Sequence, residues 1–237
     1  MGKKATSADD QQGTPPFLRS KIREKQNWVG GRSFSTQEKY HKRERAGPSE
    51  TIRQAPLSKK EIRTYLLGAL HDGTFSSNER FRISQKGTEW LKILKRLFSQ
   101  LGYNAWIYKE GSDRKVYVLE TLADFLDFNF NPLRLKKNEE KTGYIRGFFD
   151  AEGGIPRNEK ARFYIQLTQN DKGKLEKLKI LLNDLRIKTG KIHNPSRSVD
   201  PDYWRMYVLV NSQKRFIQKI GSWHPRKIRT LRKRMMI

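Results

Sequence analysis

The chain has 237 residues, and its 50 Lys and Arg against 25 Asp and Glu give a formal charge of +25. An excess of that size indicates a polyanionic partner, most often nucleic acid. The absence of cysteine excludes a disulfide framework, a thiolate zinc site and a cysteine nucleophile. The sequence has neither an apolar run long enough to cross a membrane nor a signal-peptide core, so we expect an intracellular protein, cytoplasmic or at the nucleoid in a prokaryote, or organellar.

Residues 1–55 are polar and lack a sustained apolar period, and Pro15-Pro16, Gly30-Gly31 and Gly47-Pro48 interrupt them. They hold 12 Lys and Arg against 6 acids, so most of the excess charge belongs to the rest of the chain. This composition predicts a basic, disordered extension. It is either a passive segment or an arm that touches nucleic acid.

Two copies of one pattern of elements follow. The first copy, residues 56–128, opens with an apolar helix over 65–73 that ends in Asp72 and Gly73. Its remaining elements are predicted from their periodicity as a strand at 81–86, an amphipathic helix at 90–98, strands at 105–108 and 115–119, and a short helix at 122–128.

A charged connector that contains Pro132, residues 129–142, leads into the second copy, residues 143–221. This copy opens with a helix on which Gly147 and Ala151 lie one turn apart, and it ends in Glu152 and Gly153, where we expect the glycine to be left-handed. The remaining elements are predicted as a strand at 163–170, a helix at 175–185, strands at 189–192 and 204–210, and a helix at 214–220. The basic end, residues 222–237, is a helix along the DNA backbone or a solvated tail.

The pattern predicts an α+β fold of two tandem αββαββα units with antiparallel sheets. In the second copy, alternation turns Phe163, Ile165 and Leu167 toward the core. The opposite face of the two sheets carries side chains that hydrogen-bond base edges and phosphates, although a solvated face is the alternative. These candidate DNA-binding residues are Arg80, Arg82, Ser84, Arg162, Tyr164, Gln166 and Thr168.

Paired helices that end in an acid and a glycine, each followed by a sheet with a glutamine near the end of its second strand, resemble the LAGLIDADG homing endonucleases in their single-chain, two-motif form. The resemblance covers about residues 57–220, and the stretch 145–153 fits the nine-residue signature position by position. In the first motif, Gly68 and Asp72 are four residues apart, whereas Gly147 and Glu152 are five apart. The register of the first helix and the aim of its acid are therefore open.

The resemblance implies a monomer in which the two motif helices pack together as the interface of pseudo-twofold-related repeats, while the antiparallel sheets form a saddle for double-stranded DNA. It implies an intron-encoded endonuclease that cuts a long asymmetric target across the minor groove, with Mg²⁺ or another divalent cation. The residues implied for metal binding are Asp72, Glu152, Gly73 and Gly153, and those implied for catalysis are Asp72, Glu152, Gln85, Lys86 and Gln169. Independently of the family, two carboxylates at neighbouring helix C-termini repel each other and favour cations.

Each assignment has a plainer alternative. Asp72 and Glu152 are otherwise ordinary acids at helix ends, and Lys86 is one phosphate contact among many. For His71 we expect a packing or polar contact rather than catalysis, and for Asp150 a capping or salt-bridge role rather than metal binding. At the level of function, the alternatives are an RNA maturase that binds its host intron RNA and a non-catalytic DNA-binding regulator; two acids aimed at phosphate speak against the regulator.

Overall fold

A computed structural model describes residues 57–76 and 78–235 of the chain, and the predicted extension over 1–55 lies outside them. The first repeat is one helix, a 3₁₀ turn and a four-stranded antiparallel sheet in the order β1-β2-β4-β3, with a second helix packed on it. Its elements are α1 (Lys59–Ala69), the 3₁₀ turn Leu70–Asp72, β1 (Gly73–Phe75), β2 (Phe81–Gln85), α2 (Glu89–Gln100), β3 (Ala105–Lys109) and β4 (Tyr117–Thr121).

The second repeat follows a 3₁₀ turn, Pro132–Arg134, and has a three-stranded antiparallel sheet in the order β5-β6-β7. Its elements are α3 (Asn138–Glu152), β5 (Gly153–Gly154), β6 (Gln166–Gln169), α4 (Lys172–Asp184), β7 (Trp204–Tyr207) and α5 (Val210–Lys219), and a further helix, α6 (Pro225–Met235), closes the described chain. None of the helices in the described part of the chain is both long and apolar enough to span a lipid bilayer.

The two repeats join through α1 and α3, whose backbones touch. A Cβ added at Gly68 would lie 2.1 Å from the Tyr144 carbonyl oxygen, and one at Gly147 would lie 2.0 Å from the Tyr65 carbonyl oxygen. Any side chain at either position would therefore force the helices apart. Gly143 extends this contact one turn toward the start of α3, since a Cβ there would lie 2.5 Å from Thr64 Oγ1. The small-residue face predicted at Gly147 and Ala151 thus begins a turn earlier.

Amphipathic helices cover the inner face of each sheet. The four residues of the predicted apolar face of α2, Leu91, Leu94, Leu97 and Phe98, are all buried. In the second repeat, Ile165 and Leu167 are fully buried beneath α4, and Phe163 packs at the edge of the same core. The inward orientation predicted for these three residues is confirmed, although only Leu167 lies within β6.

The predicted strands 163–170 and 204–210 are shorter in the structure, as β6 and β7, and three other parts of the prediction differ more. Residues 122–128 form turns rather than a helix, although Ala123, Phe125 and Leu126 are buried there. Residues 189–192 form only an isolated bridge, Thr189 opposite Val208, so the second sheet has one strand fewer than predicted. The motif helix α3 begins at Asn138, inside the stretch predicted as a connector.

Candidate active site

Asp72 and Glu152 occupy equivalent places in the two repeats. Asp72 is the last residue of the 3₁₀ turn after α1, and Glu152 is the last residue of α3. The glycine after each acid opens a strand, with Gly73 paired to Ile83 and Gly153 paired to Leu167. Both acids therefore lie where a motif helix turns into the edge of a sheet.

The two glycines are required by close packing at these corners. The backbone of Gly153 is extended, with φ −79°, so the left-handed conformation expected from the sequence is wrong. A Cβ at Gly153 would lie 2.1 Å from a ring carbon of Phe149, and one at Gly73 would lie 2.8 Å from the carbonyl oxygen of Leu70. The chain can change direction directly after each acid only because these positions lack side chains.

The 3₁₀ turn compensates for the shorter spacing in the first motif. Residues Leu70–Asp72 advance by the steeper 3₁₀ rise, so Gly68 to Asp72 spans about 7.5 Å along the axis, the rise of five α-helical residues. The tighter winding also rotates Asp72 to within about 40° of the position that a fifth α-helical residue would take. Since α3 stays α-helical through Glu152, the two acids end at matching depths.

The two carboxyl groups interact electrostatically. Burial and, to a smaller extent, the charge of Asp72 raise the pKa of Glu152 to about 7, against the lowering effect of Lys227 and Lys174. Burial also raises the pKa of Asp72 to about 6, against a hydrogen bond from Gln85 and the charge of Lys227. Two partly desolvated carboxyl groups that disfavour each other's ionisation form a site in which a cation relieves the repulsion.

The two glutamines predicted for the site make different contacts. Gln85 donates its amide to the Oδ2 atom of Asp72. Gln169 instead lies 3.4 Å from His71 Nδ1, and Asn170 donates its backbone N–H to the Gln169 side-chain oxygen. In the second repeat, Thr168 Oγ1 donates to the backbone oxygen of Glu152 at 2.7 Å.

His71 is a packing residue, as expected. Its Nε2 lies 2.7 Å from the Tyr144 hydroxyl, and its ring meets Phe148 edge-on at 4.7 Å. Burial lowers its pKa to about 3, so the ring is neutral at physiological pH. It supports the amide of Gln169 between the two repeats.

Asp150 organises the elements behind the acids. It is buried and accepts hydrogen bonds from the Tyr65 hydroxyl at 2.7 Å and from the backbone N–H groups of Trp223 and His224 at 2.8 and 3.1 Å. These two N–H groups belong to the residues just before α6, so Asp150 ties the start of that helix to α3. The structure thus gives Asp150 a hydrogen-bonding role between elements, neither a helix cap nor a salt bridge.

Lys227, on α6, also joins that helix to the end of α3. Its buried ammonium group donates to the backbone oxygens of Phe149 and Asp150, at the C-terminal end of α3. Burial lowers its pKa to about 8, although the negative charges of Asp150, Asp72 and Glu152 oppose this shift. The start of the C-terminal segment is thus a fixed, positively charged part of the site rather than a solvated tail.

Two clefts flank the acids. Glu152 and Gly73 line one of them, together with Lys174 and Tyr203. The second lies beside Asp72's partner Gln85, and its remaining lining residues are Lys86, Gly87, Glu89, Trp90, His224, Arg226 and Arg229. Lys174 thus lies near Glu152 in the second repeat, whereas in the first repeat Lys86 shares a cleft with Gln85, the hydrogen-bond partner of Asp72.

Of the predicted DNA-binding residues, Arg82 and Ser84 lie on β2 and Gln166 and Thr168 on β6, whereas Arg80, Arg162 and Tyr164 precede these strands. Arg80 and Arg82 both form ion pairs with the buried carboxylate of Glu120, at 3.2 and 3.1 Å, and Tyr108 donates to the same group. Among the other five residues, Ser84 and Arg162 are exposed, Tyr164 meets Tyr207 edge-on, Gln166 donates to the Tyr203 hydroxyl, and Thr168 holds the end of α3.

The acid pair fits a hard divalent cation that keeps much of its water. Among the described residues there is no cluster of three or more His, Asp or Glu side chains that could enclose a metal, so Asp72 and Glu152 stand as a pair. Mg²⁺ is commonly bound in this way, through one or two carboxylates plus water and substrate phosphates. Gly73 and Gly153 have no side chains and can offer only backbone oxygens.

Sequence reasoning missed several residues of the site. Lys227 follows Glu152 by 75 positions, and only the packing of α6 brings it to the acids. Glu120 faces Arg82 directly across the β2–β4 register, which requires knowing which strands pair. Lys174 carries a local signal, since it lies in the first turn of α4 soon after Gln169.

Comparisons with known proteins agree with this architecture. Residues 139–221 match the family model described as a LAGLIDADG-like domain. The structure of I-DmoI in complex with DNA and manganese aligns with a TM-score of 0.52 at 20% identity, covering 69% of this chain and 98% of that one. Full-length DUF199/WhiA from Thermatoga maritima aligns with a TM-score of 0.57 at 17% identity, covering 78% of this chain and 63% of that one. A search of curated protein sequences gave no match.

Proposed function

Residues 139–221 match the LAGLIDADG-like domain model and the chain has the fold of I-DmoI, and we propose that it is a LAGLIDADG protein that acts as a metal-dependent DNA endonuclease. The proposed reaction is hydrolysis of both strands of a long, asymmetric target across the minor groove by a monomer. One observation carries this proposal: Asp72 and Glu152 end the two touching helices, and the charge of Asp72 raises the pKa of Glu152. Such an arrangement is unfavourable for folding and useful for holding a cation.

Asp72 and Glu152 would hold the metal, Mg²⁺ or another divalent cation. When bound, it would supply Lewis-acid stabilisation of phosphodiester charge and a nucleophilic water. Gly73 and Gly153 would contribute through backbone oxygens. Structures of I-DmoI with manganese, with magnesium and with calcium are known, which supports the divalent class.

The surrounding residues have distinct proposed tasks. Gln85 orients the Asp72 carboxylate through its amide, and Thr168 fixes the end of α3 through the Glu152 backbone oxygen. Gln169 is held by His71, so its proposed role is to position the cleft wall beside Glu152. Lys86, which lines the cleft beside Gln85, would neutralise charge on a nearby phosphate.

The outer faces of the sheets are the proposed DNA surface. Glu120 holds the guanidinium groups of Arg80 and Arg82 in place, which lowers the entropy lost when they bind a phosphate or base edge. On the second sheet, Gln166 and Tyr164 would read base edges, with the exposed Arg162 on the backbone. Ser84 and Thr168 complete the proposed set.

The proposal is tested by incubating the purified protein and Mg²⁺ with a plasmid library of randomised targets and sequencing the linear products. We expect a single family of long, asymmetric sites to be cut. Asp72→Asn and Glu152→Gln should each abolish double-strand cutting while DNA binding persists. Double-strand cutting at the wild-type rate by either variant would remove these acids from the mechanism.

The second candidate function is DNA binding without cleavage. The same fold occurs in DUF199/WhiA, and a fold alone does not establish a function. The asymmetry of the two halves favours it: Gln85 contacts its acid, whereas Gln169 contacts His71. Sequence-selective binding with no nicked or linear product in Mg²⁺ or Mn²⁺ would establish this function, and preferential binding of a structured intron RNA would establish the maturase.

A further inference from the structure

The cleft between α6 and the turn that follows β2 is unusually cationic. Lys86 stands on one wall, and Arg226 and Arg229 stand on the other, with Glu89 as the acidic residue that lines it. Arg229 pairs with Glu89 at 3.3 Å. Among the described residues, neither Lys86 nor Arg226 has an ion-pair partner, so the cleft carries a net positive charge.

A second cation stands near Arg226. The charge of Arg157, from the loop after β5, adds to partial burial in lowering the pKa of Arg226. Holding two guanidinium groups near each other without an acid costs free energy in the isolated protein. A bound anion would recover that cost, and phosphate is the anion whose geometry the guanidinium fork matches.

His224 completes the lining with a neutral donor. Burial, reinforced by the charges of Lys227 and Arg226, lowers its pKa to about 4, and its ring stacks on Trp90 at 5.4 Å between centroids. Its Nδ1 accepts the backbone N–H of Arg226 at 3.2 Å. The ring proton therefore resides on Nε2, where it can donate to an anion without adding charge.

The wall formed by α6 is rigidly anchored. Lys227 binds the end of α3, Asp150 accepts hydrogen bonds from the two residues before α6, and Leu231 is buried in the core. Because these contacts fix the helix, the backbone that carries Arg226 and Arg229 is held in place. Preorganised cations bind an anion with a smaller entropic cost than cations on a mobile tail.

We propose that this cleft binds a backbone phosphate of the DNA, on the side of Asp72, so that α6 extends the DNA-binding surface beyond the two sheets. The cleft adjoins the acid pair through Gln85, which lines it and hydrogen-bonds Asp72. A phosphate seated there would set the position of the strand relative to Asp72. The inference rests on the proposed function, since it takes DNA as the ligand.

The test measures the affinity of the full chain for a fluorescein-labelled DNA duplex of random sequence across a salt series without divalent metal. In Arg226→Gln/Arg229→Gln, the slope of log affinity against log salt should be smaller by about 1 to 2, since each phosphate contact contributes about 0.9. The matched control, Lys214→Gln/Lys219→Gln, removes two exposed charges from α5 and should keep the wild-type slope.

A third variant moves binding in the opposite direction. Glu89→Gln releases Arg229 and should tighten binding, which a misfolded protein would not do. Wild-type slopes in both Arg226→Gln/Arg229→Gln and Glu89→Gln, or an equal loss in the α5 control, would overturn the phosphate assignment. A wild-type protein that neither binds the duplex nor cuts the plasmid library would instead refute the proposed function itself.

Discussion

The charge on Glu152 should destabilise the metal-free fold, so Glu152→Gln should raise its stability at neutral and alkaline pH. Glutamine keeps the shape of the side chain and removes the ionisation that burial and Asp72 disfavour. A pKa raised from 4.5 to about 7 corresponds to at most about 3 kcal/mol in the free energy of unfolding. For a chain of this size, 1 kcal/mol shifts the melting temperature by roughly 2–4 °C, so the shift should reach several degrees.

The sign of the pH dependence follows from the direction of the pKa shift. Because the pKa of Glu152 is higher in the folded than in the unfolded protein, its stabilising contribution is complete below about pH 4.5 and is lost as the pH rises through about 7. The melting temperatures of wild type and Glu152→Gln should therefore coincide near pH 4.5 and diverge toward pH 8, with the variant higher.

Differential scanning fluorimetry across this pH range measures the effect, with Glu79→Gln, an exposed glutamate, as the matched control. Added Mg²⁺ should raise the wild-type melting temperature at pH 8 and have little effect on Glu152→Gln, because a ligand stabilises only the state that binds it. A Glu152→Gln protein that melts below wild type at pH 8 would show that the carboxylate is already satisfied and that the pair does not form a cation site.

Three further perturbations test the framework around the acids. Gly68→Ala or Gly147→Ala should each destabilise the fold by about 1–3 kcal/mol, since the added methyl meets backbone of the facing helix; Gly87→Ala, where a Cβ meets nothing within 4 Å, is the control in chemical denaturation. Asp150→Asn should cost about 1–3 kcal/mol, because an amide nitrogen cannot accept the hydrogen bonds that the buried carboxylate accepts from Tyr65, Trp223 and His224; the exposed Asp113→Asn should change nothing, and equal midpoints for the two would contradict this role of the carboxylate. Gln85→Leu should raise the pKa of Asp72 above about 6, so calorimetric Mg²⁺ affinity should need a higher pH, and an unchanged pH profile would show that the Gln85 amide does not act on this carboxylate.

The sequence pattern of a helix or strand was sufficient to predict which of its faces is buried, wherever that face is formed by its own apolar residues. The four apolar residues of α2 predicted the covered side of that helix, and alternation predicted the inward orientation of Leu167 in β6. Residues 122–128 show where this fails. Their spacing resembles a helical face, yet Ala123, Phe125 and Leu126 are buried from a segment of turns, in which Phe125 packs against Phe98 of α2 and against Tyr103.

The acids themselves were visible in the sequence because each follows a short motif with small residues. The direction in which the Asp72 side chain points could not be read from the sequence. A 3₁₀ turn and an α-helical turn place the fourth residue differently, and both accept the same amino acids. Gly143 was overlooked because its role depends on which turn of α1 it meets.

The sequence by itself thus determined the two repeats, the helix–acid–glycine corners, the basic character of the surface and the identity of the two acids. These depend on spacing, periodicity and charge, which are properties of neighbouring residues. Only the tertiary structure decided that Asp72 and Glu152 interact electrostatically, that Gln169 contacts His71 rather than Glu152, and that α6 brings Lys227 to the end of α3. Such contacts join residues far apart in the chain, and their energies arise from burial and charge that exist only once the helices have packed.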